Sequence, residues 1–235
     1  MKAISSMATR HVLADLAAAA EAAGLPAVEL ESVGGVDAGR RVAAGERVDL
    51  VFLADDALRA LARDGHVRAD TVTPLLLSHV AVAVPAPEDA VAVATGQPAF
   101  DDVAALRDAL RGARRIGYST GPSGAALVAL IAELGLDDEL RDRLVQAPPG
   151  IPVARLLRER RVDLGFQQAS ELVGERGVRL LGALPAAVAI DTVFSGAVAT
   201  AATAPEDAAA VLAAFGDDTA AALIVSHAFD VPGGP

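Results

Sequence analysis

The chain has 235 residues, 53% of them hydrophobic and 22% charged, a balance typical of a folded protein rather than a disordered one. Its net charge of −11 argues against nucleic acid as a partner, because phosphate binding requires a clustered basic surface. The lack of cysteine excludes disulfides, thiol catalysis and cysteine metal sites.

Segments typical of strands alternate with helical patterns along the whole chain. In chain order, the strand-like segments are "KAIS", "AVELESV", "VDLVFLA", "HVAVAVP", "RRIGYS", "VDLGFQ", "VRLLGAL" and "DTVFSGAVA". The helical patterns are "TRHVLADLAAAAEAAG", "DAGRRVAAG", "DDALRALARDG", "FDDVAALRDALRG", "SGAALVALIAELG", "DELRDRLV", "IPVARLLRER" and a closing pair that begins at "APEDAAAVL". This alternation predicts an α/β fold with mixed, mostly parallel sheets and helices on both faces. Because no apolar run approaches the ~20 residues that span a bilayer, we expect a soluble protein without a membrane span.

One pattern occurs twice. "RRVAAGERVDLVFLADDAL" and "RLLRERRVDLGFQQASEL" both read as a helix, a charged turn, a "VDL" strand and a polar segment that opens a helix. The recurrence predicts two similar lobes, whose ligands would bind beyond the carboxyl ends of the strands. The alternative is that three letters recur by chance in a sequence rich in alanine and valine.

The stretch "GYSTGPSG" lies between a predicted strand and a predicted helix. Tyr118 is the only tyrosine of the chain, and Ser119, Thr120 and Ser123 add hydroxyl groups next to two glycines. The first amides of a helix have no partner within the helix, so these residues could hold an anion there. The alternative is that Ser123 is a plain N-cap. The Gly-Lys-Ser/Thr ending of a nucleotide-binding P-loop is missing.

Three further turns offer hydrogen-bond donors of the same kind. "ISSMATR" and "SVGGVDAGR" each lead from a strand into a helix, and "GFQQ" ends a strand with two amide side chains. An amide pair at a strand end can donate to a ligand oxygen, although such pairs often lie on an ordinary surface. The candidate ligand-binding residues in these turns are Ser5, Ser6, Arg10, Gly35, Gln167 and Gln168.

Evidence for catalysis is weak, and the catalytic residues are unknown at this stage. The chain has no Gly-x-Ser-x-Gly elbow, and its four histidines show no local pairing with a serine and an acid. No two histidines have metal-ligand spacing, so we expect neither a metal nor a cofactor. His79 fits either a hinge position or an acid/base in a cleft.

The N-terminal segment "MKAISSMATR" has no apolar signal sequence. We therefore expect a cytoplasmic protein. If a leader has been trimmed from the chain, the location would instead be periplasmic or extracellular.

The order of these blocks resembles the molybdate-binding-protein-like branch of the type II solute-binding proteins, most specifically at "AGERVDLVFLAD" and "VDLGFQQASEL". The resemblance covers nearly the whole chain. It implies a two-lobed type II periplasmic-binding-protein fold that closes on a small anion. Lobe 1 would comprise residues 1–80 plus 190–235, lobe 2 residues 81–189, and the ligand cleft would lie between them.

The oxyanion ligands of that family can be matched to this sequence one by one. Its first-loop hydroxyl falls on Ser6, and the hydroxyl of the turn in lobe 2 falls on Ser123. Its second-loop serine falls near Gly35 or Val36, its later backbone amide near Pro152 or Val153, and its tyrosine on Gln168. Because these last three positions differ from the family pattern, an organic polycarboxylate is favoured over a molybdate-type oxyanion.

The "GYSTGPSG" and "GFQQ" blocks look closer to aconitate isomerase, which is similar to the same branch. This resemblance implies an alternative function, the cis–trans isomerisation of unsaturated polycarboxylates by removal and return of a proton. In that case Arg10 would hold a carboxylate, and His79 or Tyr118 would move the proton. The expected partner is a small anionic ligand, with an ABC permease as a second partner only if the protein is exported.

Overall fold

The computed structural model describes residues 1–233, which form nine strands and ten helices. The strands are β1 (Lys2–Ser6), β2 (Glu29–Val33), β3 (Leu50–Ala54), β4 (Thr73–Pro85), β5 (Ile116–Tyr118), β6 (Leu144–Gln146), β7 (Leu164–Gln168), β8 (Val178–Ala183) and β9 (Asp191–Val198). The helices are α1 (Arg10–Ala22), α2 (Gly35–Ala43), α3 (Asp55–Arg63), α4 (Val103–Gly112), α5 (Pro122–Glu133), α6 (Asp137–Leu140), α7 (Val153–Arg158), α8 (Ala169–Leu172), α9 (Pro205–Phe215) and α10 (Asp218–Ser226).

The chain forms two compact units. Unit 1 contains Met1–Ser78 and Thr192–Pro235, and unit 2 contains His79–Asp191. The chain passes from unit 1 to unit 2 within β4 and returns within β9. Lobe 1 was predicted to end at residue 80 and to resume at residue 190. The observed unit 1 ends at residue 78 and resumes at residue 192, so each boundary differs by two residues. The ligand cleft in that prediction stays a prediction.

Unit 1 is a sheet with helices on both faces. Its strand order is β2-β1-β3-β9, in which β1 pairs in parallel with β2 and β3, and β9 runs antiparallel to β3. One face buries Phe52 and Phe215 with α1, α9 and α10, and the other buries Ile4 and Leu58 with α2 and α3. The strongly apolar "VDLVFLA" strand is therefore covered on both sides, as its composition predicts.

Unit 2 repeats this arrangement. Its strand order is β6-β5-β7-β4, in which β5 pairs in parallel with β6 and β7, and β4 runs antiparallel to β7; β8 also pairs with β4. One face buries Leu127 and Phe166 with α4 and α5, and the other buries Val153 and Leu157 of α7. The two units thus share one order of elements, with β1, β2, β3 and β9 corresponding to β5, β6, β7 and β4.

The recurring "VDL" has the same structural role in both units. Asp49 precedes β3 and accepts the Lys2 N–H of β1 at 2.8 Å, while its own N–H donates to the Lys2 carbonyl. Asp163 precedes β7 and accepts the Arg115 N–H at 2.7 Å, while its own N–H donates to the Arg115 carbonyl. The recurrence is therefore architectural and not a coincidence of three letters.

One predicted helix is wrong over most of its length. "DELRDRLV" was expected to be a single helix, but α6 ends at Leu140, a 3₁₀ turn follows, and Leu144 begins strand β6. The Arg143 guanidinium donates to the carbonyls of Arg111 at 2.7 Å and Ala113 at 3.1 Å, which holds the chain where β6 can pair with β5. This tertiary pairing overrides a local helical pattern.

Among residues 1–233, no single helix is long and apolar enough to cross a membrane. The bent pair α9 and α10, with 63° between its members, meets that test by length and composition only. Buried residues of both helices belong to the core of unit 1.

Candidate functional site

Polar residues follow the parallel strands of unit 1 at one edge of the sheet. Ser6 ends β1, Gly34 follows β2, and Asp55 follows β3. The parallel registers pair Ser6 with Val33 and Ser5 with Phe52, so the three strand ends lie side by side. This is the edge at which sheets of this kind bind ligands.

Ser6 lies beside the first turn of α2. It is 6% exposed, its hydroxyl is 3.5 Å from that of Thr9, and its Cβ is 3.5 Å from the Cβ that a side chain at Gly35 would carry. The N-cap of this nine-residue helix is Gly34, which has no side chain to bond the first amides. The next residue, Val36, is 80% exposed. Unit 1 therefore combines a hydroxyl, a glycine-opened helix start and an aliphatic side chain.

Two other predicted residues of unit 1 have partners of their own. Ser5 is fully buried, and its hydroxyl lies 2.7 Å from that of Ser32 on β2. Arg10 is exposed and donates from Nε to His11 Nε2 at 2.9 Å. Their predicted roles in ligand binding stay predictions.

A carboxylate that the sequence analysis did not single out occupies the same edge. Asp55 accepts from the Ser195 hydroxyl on β9 and from Arg59 Nε, both at 2.6 Å. Burial raises the pKa of Asp55, but these hydrogen bonds and the Arg59 charge outweigh it and lower the pKa below its usual value. Only the acidic first turn of α3 hinted at this residue, since Ser195 is 140 positions away in sequence.

The "GYSTGPSG" turn of unit 2 links β5 to α5. Gly121 is the N-cap and Pro122 the first helical residue, so the alternative that Ser123 is the N-cap is wrong. The Ser123 hydroxyl instead lies 3.0 Å from that of Ser119. A Cβ at Gly124 would lie 1.9 Å from the Ser119 carbonyl oxygen, so only glycine lets the loop fold this closely onto the helix.

The remaining predicted residues of this turn differ in their surroundings. Tyr118 is half-buried and packs against the apolar core of unit 2, whereas Thr120 is exposed. The two serine hydroxyls at the start of the twelve-residue α5 are therefore the most defined polar feature of the turn.

The two glutamines at the end of β7 lie on opposite faces of the sheet, because successive strand residues alternate. Gln167 is 2% exposed, and its Oε1 accepts the Val153 N–H of α7 at 2.7 Å. Gln168 is 4% exposed and shares the face of Phe166. The amide expected near Pro152 or Val153 is therefore already bonded within the protein.

His79 and Asp191 are the first and last residues of unit 2. His79 Nδ1 lies 2.7 Å from Asp191 Oδ1, and both side chains are partly exposed. The acid partner of this histidine cannot be identified from the local sequence, because the two residues are 112 positions apart. A carboxylate in this position orients the imidazole ring.

No group of three or more metal-ligating side chains occurs among the described residues. The candidate residues described above offer hydroxyl groups, amide groups and helix starts.

Comparison with known proteins agrees with this architecture. The chain is similar to the periplasmic molybdate-binding protein of Azotobacter vinelandii, with 19% identity, a TM-score of 0.77 and 99% of each chain covered. It is also similar to the sulfate-binding protein of Mycobacterium tuberculosis H37Rv, with 15% identity and a TM-score of 0.72 over 99% of this chain and 87% of that one. These likenesses confirm the predicted type II periplasmic-binding-protein fold.

Sequence comparison gives the family. An aconitate isomerase from a Pseudomonas species is 29% identical over 185 residues, which is 78% of this chain and 68% of that protein. The sequence model described as "Bacterial extracellular solute-binding protein" matches residues 1–230. The chain therefore belongs to the family of bacterial extracellular solute-binding proteins.

Proposed function

We propose that this protein binds a small organic polycarboxylate through hydroxyl groups and helix-start amides at the carboxyl edges of its sheets. The family binds solutes, and its relatives of known structure include proteins named for molybdate and sulfate. The predicted ligand residues most consistent with this role are Ser6, Gly35, Ser119, Thr120, Ser123 and Gln168.

The observation that carries the proposal is the turn before α5. Two serine hydroxyls 3.0 Å apart stand at the start of a twelve-residue helix, and Gly124 allows the loop to fold closely over it. Helix starts favour negative charge because unpaired amides and the helix dipole act together. Neither hydroxyl serves as the N-cap, since that position is Gly121. In the bond between the two hydroxyls one group donates its proton, so the other is placed to donate to an anion.

Three features favour an organic anion over a compact tetrahedral one. The Val153 amide donates to Gln167 and does not offer its proton to an oxyanion. Gly35 contributes no hydroxyl at the start of α2. Val36, 80% exposed beside it, offers an aliphatic surface that suits a carbon skeleton better than an inorganic oxyanion.

A thermal-shift comparison of citrate, cis-aconitate, trans-aconitate, molybdate and sulfate tests the proposal. A ligand at 100 times its Kd adds about 2.7 kcal/mol of stability. For a chain of this size that corresponds to roughly 5–11 °C in Tm. We expect such a shift with at least one tricarboxylate and a smaller one with the two inorganic oxyanions. A large shift with molybdate alone would overturn the choice of ligand class.

Ser123→Ala tests the role of the α5 turn. The loss of one hydroxyl donor to a charged ligand is expected to weaken binding by about tenfold or more. Ser226→Ala is the matched control, because Ser226 is exposed and, within residues 1–233, its hydroxyl bonds only the Leu223 carbonyl. Equal ligand affinity in both variants would show that the Ser119–Ser123 pair is structural.

A second candidate function is cis–trans isomerisation of an unsaturated polycarboxylate. The 29% identity to an aconitate isomerase and the His79–Asp191 pair favour it, since this reaction needs a group that removes and returns a proton. Incubation with trans-aconitate, followed by NMR, should show cis-aconitate with the wild type and a loss of turnover in His79→Gln. If the wild type does not convert trans-aconitate, this second candidate function is overturned.

The location and protein partner follow from these proposals. The family description contains the word "extracellular". If the protein acts outside the cytoplasm, an ABC permease is the expected partner. The cytoplasmic location expected from the sequence stays a prediction, and cell fractionation tests it.

A further inference from the structure

We infer that Gln167 is a specificity-determining residue. Its carbonyl oxygen accepts the first N–H of α7, which is then not available to a ligand, and its NH₂ group is the donor that the ligand meets instead. The inference rests on the proposed binding of an organic polycarboxylate. It goes beyond that proposal by naming the residue that turns an oxyanion-binding arrangement into one for a larger, extended anion.

The orientation of the Gln167 amide is fixed by its partner. The Val153 N–H is a donor, so the group that faces it at 2.7 Å must be the carbonyl oxygen. The NH₂ group of Gln167 therefore faces away from that amide. Within the described part of the chain this nitrogen has no hydrogen-bond partner, although Gln167 is only 2% exposed.

The same nitrogen must reach solvent. No polar side-chain atom of the described residues is both inaccessible and without a partner. A side chain 98% buried, with its oxygen bonded and its nitrogen at least slightly exposed, is a preorganised donor group with two N–H bonds. It lies one residue before the carboxyl end of β7, at the edge where the ligand is proposed to bind.

Unit 1 has the same strand and helix arrangement but no glutamine at the corresponding position. Leu53 holds the corresponding position, one residue before the end of β3, and is buried beneath α2. Its side chain cannot bond an amide, so the first turn of α2 stays open beside Ser6. The two units therefore differ at one corresponding position. Unit 1 has the aliphatic side chain of Leu53 there, and unit 2 has the amide side chain of Gln167.

The exchange of donors favours extended ligands. A backbone N–H at a helix start is fixed and supplies one bond to a compact anion close to the helix. The Gln167 NH₂ supplies two bonds from the end of a side chain, which suits the oxygens of a larger molecule. Because the amide is neutral, its preference comes from geometry and not from charge.

Two substitutions separate these effects. Gln167→Glu keeps an oxygen that accepts from Val153 but removes both donors and adds a negative charge. Gln167→Leu recreates the residue of unit 1, frees the Val153 amide and removes the side-chain donors. Gln97→Leu, at an exposed position, is the control. Calorimetric titration with citrate and molybdate gives the affinities, and hydrogen exchange of the segment around Val153 reports whether its amide is capped.

We expect both Gln167 variants to bind citrate at least tenfold more weakly than the wild type and the control. In Gln167→Leu the ratio of molybdate to citrate affinity should rise, and exchange at Val153 should accelerate; in Gln167→Glu exchange should stay slow. If the wild type binds citrate and neither variant changes the ratio, the inference fails while the proposed function stands. If the wild type binds none of the polycarboxylates, both fail.

Discussion

Asp163 is predicted to hold unit 2 together at the amino end of its sheet. Its carboxylate accepts the N–H groups of Arg114 at 3.0 Å and Arg115 at 2.7 Å, which join β5 to β7. Each hydrogen bond to a charged acceptor contributes roughly 1.5–3 kcal/mol. The side chain is 34% exposed, so solvent reduces this sum, and we expect Asp163→Ala to lower the free energy of unfolding by about 2–4 kcal/mol.

The effect should also depend on pH. Burial raises the pKa of Asp163, but hydrogen bonds from the backbone of Arg114 and Arg115 outweigh it, so the pKa lies below its ordinary value of 3.8. A lowered folded-state pKa gives stability that is present above the unfolded-state value and is lost as the pH falls through the folded-state value. Asp163→Asn should therefore flatten the loss of stability below about pH 4, while retaining one acceptor and costing only about 1–2 kcal/mol.

Urea denaturation at several pH values, combined with hydrogen exchange, tests this account. Asp49 makes the matched test in unit 1, where it accepts from Lys2 N, Thr203 N and the Thr203 hydroxyl at 2.8–2.9 Å. We expect Asp49→Ala to accelerate exchange in unit 1 and Asp163→Ala to accelerate it in unit 2. Asp108→Asn, on the exposed face of α4, is the control and should change stability by less than about 0.5 kcal/mol. If Asp163→Ala behaves like that control, the shared role of the two aspartates is refuted.

Two further substitutions probe packing. Gly124→Ala should destabilise the protein by about 3 kcal/mol or more and abolish anion binding, because the new methyl would lie 1.9 Å from the Ser119 carbonyl oxygen. Gly121→Ala, which meets no atom within 4 Å, should leave both properties nearly unchanged in the same thermal-shift assay. Phe215→Ala should cost about 3–5 kcal/mol in urea denaturation, since the ring is 1% exposed and stacks on Phe52 at 5.6 Å. A cost under 1 kcal/mol would show that the core refills around the cavity.

The sequence predicted the alternation of strands and helices well because the signals are local. "VDLVFLA" and "RVDLGFQ" are bounded by charged turns and helix starts, and both became strands of the parallel sheets. Strand β6 was missed because its three residues have no pattern of their own and depend on pairing with β5. The features that the sequence did not predict are those that depend on contacts between residues far apart in the chain.

The site shows the same division. Hydroxyl-rich turns were identifiable because serine and glycine stand out between a strand and a helix. The bonds that decide what those turns can do join distant residues: Ser195 to Asp55, His79 to Asp191, and Gln167 to Val153. Even within "GYSTGPSG", the presence of Pro122 moved the N-cap to Gly121 and freed Ser123 from that task.

The two ends of each sheet have different roles, one in stability and the other in ligand preference. At the amino ends, Asp49 and Asp163 form the same hydrogen bonds to the backbone of the neighbouring strand, so the repeated "VDL" maintains the same strand pairing in both units. At the carboxyl ends the units diverge, because Leu53 leaves the start of α2 open and Gln167 closes that of α7. Substitution at an amino end should therefore change stability with little effect on ligand preference. Substitution at a carboxyl end should change ligand preference, and the Asp163→Asn and Gln167→Leu variants measure the two effects on one protein.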